Sequence, residues 1–297
     1  MKYLKLIRIK NLVVMVLIQY LIRFTLIIPS YGKENILSDF YFALLLFSIL
    51  LIVSAGYTIN DYFDIKVDSE NKDEHVIVGR TIKRRIALFI HFILTSVGLI
   101  VGFYIAYKIN QLVISIILIV CAYILWVYNL KLKRIFFLAN LIVAGLSAIF
   151  VTSLAILEIL LNYNHKASID NITTLTVIAT FAFILSLMHE IIKDLKTVEG
   201  DKKYKIRTLP TVWGLLKTKE FLKWLSIITA FIISAIAISK FKTNITAILY
   251  AFILLIGPLF LLNIGVYKAQ NTMDFERISK LNKFIIFAGI MSMLFLI

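Results

Sequence analysis

The feature that most constrains this chain is a series of apolar runs, each about as long as a bilayer is thick. A hydrocarbon core about 30 Å thick is crossed by roughly 20 apolar residues in a helix. Only helices and closed barrels satisfy their backbone hydrogen bonds in lipid, so the runs predict an all-α polytopic membrane protein. The nine predicted spans lie near residues 11–29, 40–59, 86–107, 111–128, 136–160, 173–192, 222–239, 245–266 and 282–297.

The net charge of +15 raises the question of a nucleic-acid partner. With nine spans and the N-terminus inside, 26 of the 32 Lys and Arg residues fall in inner segments and only 5 in outer loops. This is the positive-inside pattern. The basic composition therefore predicts a cell-membrane protein with a cytoplasmic N-terminus and membrane lipids as partners, and no nucleic acid. Arg23 lies inside the first span, where an ionisable residue is a functional candidate.

Six of the 17 carboxylates lie in the fifteen residues 60–74, directly behind the second span. Asp61, Asp64 and Asp68 are spaced i, i+3, i+7 and therefore share one face of a helix. Like charges at this spacing repel each other unless a cation lies between them. Carboxylate oxygens suit Mg²⁺, which also binds substrate phosphates, and Asn60 adds an amide oxygen. The spacing predicts a Mg²⁺ site at the inner end of this span.

A second acidic stretch, "KDLKTVEGD", follows the sixth span. Asp194 and Asp201 are seven residues apart, and Glu190 lies on the same helical face. Glu199 would join them only if the helix ended at Gly200, a residue type that often follows a helix C-terminus. Both acidic stretches are predicted on the inner side, and each is followed by Lys and Arg residues, which bind phosphate oxygens directly. The arrangement indicates two metal-binding arrays for a polyphosphate.

The motifs resemble those of a known family. "NDYFDIKVD" and "KDLKTVEGD" followed by "RTLP" resemble the two aspartate-rich motifs of the UbiA superfamily of intramembrane prenyltransferases, and "YNLKLKR" lies after the fourth span as in that superfamily. The resemblance covers nearly the whole chain and is closest to geranylgeranylglyceryl phosphate geranylgeranyltransferases. It implies a UbiA-like bundle of nine helices around a central chamber.

The sequence departs from the family pattern at three places. Thr197 stands where the family usually has an acid, Lys205 stands where it has glycine, and a Pro-x-Arg-Pro stretch near residues 73–76 is absent. The missing acid would leave Asp194, Asp201 and Glu190 to hold the second metal.

The resemblance implies Mg²⁺-dependent transfer of a polyprenyl group, geranylgeranyl in this case, from its diphosphate to a lipophilic acceptor. The acceptor expected is a prenyl glyceryl phosphate in ether-lipid synthesis, with an aromatic quinone precursor as the alternative. A cation-coupled transporter is the alternative from another class; transporters place their carboxylates near the bilayer midplane, whereas these lie at span ends.

The implied site residues fall into three groups. The catalytic residues are Asp61, Asp64, Asp68, Asp194 and Asp201. The metal ligands are these five together with Asn60 and Glu190. The substrate-binding residues are Arg8, Asn11, Arg80, Tyr128, Lys131, Asn140, Lys193 and Arg207. The chain is expected to form one transmembrane domain with two weakly repeated halves, roughly 1–130 and 131–297.

Overall fold

The computed structural model describes residues 2–70, 77–163, 165–240 and 244–296, without the side chains of 66–70 and Arg134. Within these residues nine helices are long and apolar enough to cross a membrane, as predicted. They are α1 (Ile9–Tyr31), α2 (Asp39–Glu70), α3 (Arg84–Lys108), α4 (Val113–Leu130), α5 (Leu138–Leu161), α6 (Ser168–Lys203), α7 (Leu215–Lys240), α8 (Ile245–Lys268) and α9 (Thr272–Leu296). Short helices cover Lys2–Leu6 and Leu209–Val212.

The helices that carry the acidic arrays extend well beyond their predicted apolar cores. α2 continues from residue 59 to Glu70, and α6 continues from residue 192 to Lys203. Hydropathy finds the part of a helix that lies in lipid, whereas backbone hydrogen bonding continues into the polar end. The helix does not end at Gly200, because this glycine is buried and its carbonyl accepts from the Tyr204 amide at 3.0 Å. Glu199 is therefore exposed and lies off the array face.

The chain divides into two compact units, and each carries one array. The first unit comprises Met1–Tyr20 and Lys33–Lys133, and the second comprises Leu21–Gly32 and Arg134–Ile297. Helix α1 thus contributes its first half to one unit and its second half to the other. The predicted duplication of the two halves stays a prediction.

Close packing of α2 against α3 organises the first unit. A Cβ atom on Gly98 would lie 2.9 Å from the Ile52 side chain, and one on Gly102 would lie 2.8 Å from Ser48 Oγ. The Ser48 hydroxyl donates to the Gly98 carbonyl at 2.7 Å. Small residues let membrane helices approach closely enough for such contacts. This packing holds the part of α2 that leads into the first array.

Helix α6 lies at the centre of the second unit. Its buried residues Met188, Ile191, Ile192 and Leu195 belong to the main hydrophobic cluster, together with residues of α7, α8 and α9. These apolar residues alternate along α6 with Glu190 and Asp194, which lie on a different face. The packing therefore orients α6 so that its carboxylates form a separate polar stripe.

Candidate active site

The first array is built on the last turns of α2. The Asn60 side-chain amide donates to Asp64 Oδ2 and to Asn129 Oδ1, each at 2.9 Å. Asn129 is buried near the end of α4, and its own amide donates to the Leu125 carbonyl at 2.8 Å. Asn129 on α4 thus fixes the Asn60 side chain, and Asn60 in turn orients the Asp64 carboxylate. Asp68 lies on the same helix, but its side chain is outside the described residues.

Two basic side chains of the same unit form ion pairs with these carboxylates. Arg8 Nη2 lies 3.0 Å from Asp61 Oδ1, and its guanidinium stacks 4.9 Å from the centre of the Tyr57 ring. The Lys133 ammonium forms an ion pair with Asp64. Arg8, predicted as a substrate-binding residue, thus contacts a carboxylate of the array.

Lys133 and Asn129 are array residues that the sequence reasoning missed. Both belong to the "YNLKLKR" stretch, from which the prediction selected Tyr128 and Lys131. In the structure Lys131 is exposed and Tyr128 is partly buried. Lys133 lies in the 3-10 turn Leu132–Arg134 that follows α4, and the only sequence signal for it is its place in the basic run directly behind an apolar span.

The second array is built on α6 and is held by neutral donors from its own unit. The Asn140 amide, buried near the start of α5, donates to Asp194 Oδ2 at 2.8 Å. The Thr197 hydroxyl lies 3.0 Å from Asp201 Oδ2 and 3.2 Å from the Lys193 carbonyl. A hydroxyl has one proton, and the Asp201 carboxylate is the nearer of the two acceptors. Thr197 is therefore placed to donate to Asp201, whereas a carboxylate at position 197 would repel Asp201.

The remaining predicted residues differ in their exposure and contacts. Glu190, one helical turn before Asp194, forms an i, i+3 ion pair with Lys193 at 3.4 Å. Four other predicted substrate-binding residues have exposed side chains that form no hydrogen bond or ion pair with a described residue. They are Asn11, Arg80, Lys131 and Arg207.

The donor chemistry of both arrays fits a hard divalent cation. Among the described side chains, no three carboxylate, histidine or cysteine groups are close enough to enclose a metal by themselves. Each array offers two carboxylates with an amide or hydroxyl beside them. Mg²⁺ is commonly held by one or two carboxylates while water and substrate phosphates supply its other ligands. The arrays therefore suit a cation that is shared with a phosphate.

Arg23 has a partner that the sequence did not reveal. Its Nη1 lies 2.9 Å from Glu158 Oε1, and the two side chains are 2% and 0% exposed. Arg23 begins a π-helical turn, Arg23–Ile27, in the second half of α1, and Glu158 lies near the far end of α5 from Asn140. At about 1.5 Å per residue, the 18 residues between Asn140 and Glu158 span about 27 Å. The ion pair is thus remote from Asp194.

Comparisons with known proteins identify the family of the chain. The profile of the UbiA prenyltransferase family matches residues 21–288. A digeranylgeranylglyceryl phosphate synthase from Methanosphaera stadtmanae is 30% identical over 239 residues, which are 80% of this chain and 79% of that protein. The protein of the same name from Methanococcoides burtonii is 30% identical over 269 residues, 90% of this chain and 88% of the other.

Two solved structures share the fold. One, from a study of digeranylgeranylglyceryl phosphate synthase in membranes, has a TM-score of 0.65 at 23% identity and covers 99% of this chain and 96% of its own. The other is a UbiA homologue from Archaeoglobus fulgidus bound to DMAPP and Mg²⁺, with a TM-score of 0.63 at 19% identity and 99% coverage of both chains. At these identities the similarity concerns the fold.

Proposed function

Because the chain belongs to the UbiA prenyltransferase family, we propose that it transfers a geranylgeranyl group from its diphosphate to a prenyl glyceryl phosphate. The observation that carries the proposal is the pair of carboxylate arrays, each ordered by an asparagine amide. The relatives named digeranylgeranylglyceryl phosphate synthase support this choice of donor and acceptor.

In this proposal the carboxylates of α2 and α6 hold Mg²⁺ at the donor diphosphate. The ligands are Asn60, Asp61, Asp64 and Asp68 on α2, and Glu190, Asp194 and Asp201 on α6. Bound Mg²⁺ supplies Lewis-acid stabilisation of the leaving diphosphate. That a UbiA homologue binds DMAPP together with Mg²⁺ supports the assignment.

Arg8 and Lys133 have a second role in this proposal. Each forms an ion pair with a carboxylate of the first array. When cations and diphosphate bind there, the guanidinium and the ammonium are free to turn to phosphate oxygens, for which both are suitable donors. The exposed Arg80, Lys131 and Arg207 add positive charge for the donor or the acceptor phosphate, and Asn11, Tyr128 and Lys193 are further substrate contacts.

The protein's remaining contribution is to position Asp194 and to exclude water. Asn140 keeps one Asp194 oxygen oriented, because its side chain is buried and its amide donates to Asp194 Oδ2 at 2.8 Å. Cleavage of the allylic C–O bond leaves a carbocation that the acceptor nucleophile must reach before water does. Apolar membrane helices lower the local water concentration and accommodate the prenyl chain.

We place the enzyme in the cell membrane with its N-terminus and both arrays on the cytoplasmic side. The 26-to-5 distribution of Lys and Arg between predicted inner and outer segments supports this orientation. Single cysteines introduced at Lys5 and Lys166 in a Cys121→Ala background should react from opposite sides of the membrane. Labelling of both from one side would contradict the orientation.

The test of the proposed function offers purified protein geranylgeranyl diphosphate, Mg²⁺ and one acceptor at a time, with mass spectrometry of the lipid product. The acceptors are a geranylgeranyl glyceryl phosphate, 4-hydroxybenzoate, homogentisate and a dihydroxynaphthoate. We expect product only with the glyceryl phosphate and only with a divalent cation. Efficient transfer to an aromatic acceptor instead would replace the proposed acceptor while keeping the family chemistry.

A further inference from the structure

The connector between α6 and α7 is an ordered segment of the second unit. Thr208 and Thr211 form a reciprocal capping box that starts the short helix Leu209–Val212. The first two residues of this helix, Leu209 and Pro210, are buried. Gly214 then adopts a left-handed backbone with φ of 85°, which turns the chain into α7. The connector therefore has a buried base and a defined outer side.

The outer side of the connector is apolar. Val212, Trp213, Leu215 and Leu216 are all exposed, and Leu216 is 82% exposed. We call these four residues the connector ridge. Four exposed apolar side chains within five residues form a patch that normally requires an apolar partner.

Aromatic contacts hold the ridge in place from behind. The Trp213 ring packs edge-on against Phe136 at 5.6 Å and against Phe221 at 5.7 Å between ring centres. Phe137 lies 6.1 Å from Phe221 and 6.3 Å from Phe136, which closes a ring of four aromatic side chains. Trp213 is nevertheless 41% exposed. Part of its indole is therefore anchored, and the rest is presented outward beside Leu216.

Lysines flank the connector ridge on both sides in the chain. Lys202, Lys205 and Lys217 are exposed and form no ion pair with a described residue. Lys205 has a left-handed backbone with φ of 55°, which is uncommon outside glycine and marks a turn. The connector ridge thus presents exposed apolar side chains, and exposed lysines precede and follow it in the chain.

We propose that the connector ridge and its three lysines form a docking surface for anionic lipid headgroups at the membrane surface. The occupant follows from charge and position. The segment joins two membrane-spanning helices, so its apolar side chains meet the interfacial region of the bilayer, where tryptophan is favoured. Lysines at that depth attract anionic headgroups. A soluble acidic protein would match the lysines but not the aliphatic residues beside them.

Trp213 supplies a direct probe of this surface. The chain has three tryptophans, so Trp126→Phe and Trp224→Phe together leave Trp213 as the only indole. This variant is reconstituted in nanodiscs that contain the same mole fraction of brominated phosphatidylglycerol or brominated phosphatidylcholine. Bromine quenches indole fluorescence only at contact distance, so the ratio of quenching reports which headgroup gathers at the ridge.

We expect both lipids to quench Trp213, with an apparent affinity for phosphatidylglycerol about fivefold higher for each lysine that reaches the headgroups. Replacing Lys202, Lys205 and Lys217 together by Gln should abolish the preference while quenching by phosphatidylcholine remains. The matched control replaces Lys2, Lys5 and Lys10, three exposed lysines at the N-terminal end, by Gln and should keep the preference.

With Lys202, Lys205 and Lys217 unchanged in the single-tryptophan variant, equal quenching by the two lipids would overturn the proposal. An absence of quenching by either lipid would overturn it as well. If the double tryptophan variant does not fold, Leu216→Cys in a Cys121→Ala background carries an environment-sensitive fluorophore instead. Its emission should shift to shorter wavelength on reconstitution and respond further to added phosphatidylglycerol. A label at Leu216 that stays fully aqueous in nanodiscs would also overturn the proposal.

Discussion

Asp64 in the first array and Asp194 in the second share an asparagine hydrogen bond but differ in whether a basic side chain neutralises them. Each accepts a hydrogen bond from an asparagine side chain, at 2.9 Å from Asn60 and at 2.8 Å from Asn140. Asp64 also forms an ion pair with Lys133, whereas Asp194 forms none with any described residue. Burying a charged group without a counter-charge is costly. Asp64 is thus balanced by the Lys133 ammonium, whereas the partly buried Asp194 depends more strongly on an added cation.

This difference affects how easily a metal ion binds each array. At the first, a cation competes with the Lys133 ammonium and the Arg8 guanidinium for carboxylate oxygens. At the second, Asn140 orients the Asp194 carboxylate without neutralising it. We therefore expect metal to bind the second array before the donor arrives, and the first array when the diphosphate offers Arg8 and Lys133 new partners.

The largest effect is expected from removing a carboxylate charge itself. Asp64→Asn keeps the side-chain shape but removes the anionic ligand, and prenyl transfer should fall by roughly 10³-fold because stabilisation of the departing charge is lost. Transfer of radiolabelled geranylgeranyl is the measurement, and an unchanged melting temperature is the control for folding. Activity above a tenth of the wild-type value would show that Asp64 does not hold the metal.

Glu158, whose carboxylate is paired with Arg23 inside a predicted span, should contribute to stability and not to catalysis. Glu158→Gln leaves the Arg23 charge buried without its counter-ion, which costs about 3–5 kcal/mol of stability. Replacing both by apolar residues, as in Arg23→Met with Glu158→Leu, should recover most of the loss. Thermal unfolding in detergent measures both variants. Equal melting temperatures for Glu158→Gln and the wild type would contradict this role.

An intermediate effect is expected from the amide that orients Asp194. Asn140→Ala should lower kcat/KM about 10- to 100-fold and raise the Mg²⁺ concentration needed for half-maximal activity, as loss of a group that orients a metal ligand does. Asn129→Ala is the matched change at the first array. Its effect should be smaller, because Asn60 and Lys133 still hold Asp64. Equal losses would remove the distinction between the arrays.

The smallest effect is expected at the position where the second array lacks an acid. Thr197→Asp adds a carboxylate one turn before Asp201, and a bound cation offsets their repulsion. Activity should stay within about threefold of wild type or rise, with a lower Mg²⁺ requirement. Thr197→Asn is the neutral control. A large loss with Asp but not with Asn would mean that the added negative charge is harmful, and that no cation lies between the carboxylates at positions 197 and 201.

The sequence predicted what depends on neighbouring residues. The nine spans follow from runs of apolar residues, and the alignment of Asp61 with Asp64 follows from helical spacing; the family and the prenyltransferase activity predicted from the motifs are confirmed. The partners of the carboxylates could not be predicted, because they come from distant segments. Arg8 is 53 residues from Asp61, and Arg23 is 135 residues from Glu158.

Asn140 could be predicted as a site residue, but its contact could not. The family resemblance selected it as a polar site residue, but its contact with Asp194, 54 residues away, required the packing of α5 against α6. Lys133 shows the opposite case. Lys131 has the same charge and lies in the same stretch, but in the turn after α4 Lys133 contacts Asp64 and Lys131 is exposed.

Metal binding without donor tests the central distinction between the arrays most directly. Mn²⁺, used in place of Mg²⁺, is titrated into purified protein and followed by electron paramagnetic resonance, for the wild type, Asp64→Asn and Asp194→Asn. We expect Asp194→Asn to remove the tighter site and Asp64→Asn to leave it intact, since Lys133 and Arg8 occupy the first array. Loss of the tighter site in Asp64→Asn, with its retention in Asp194→Asn, would contradict the account.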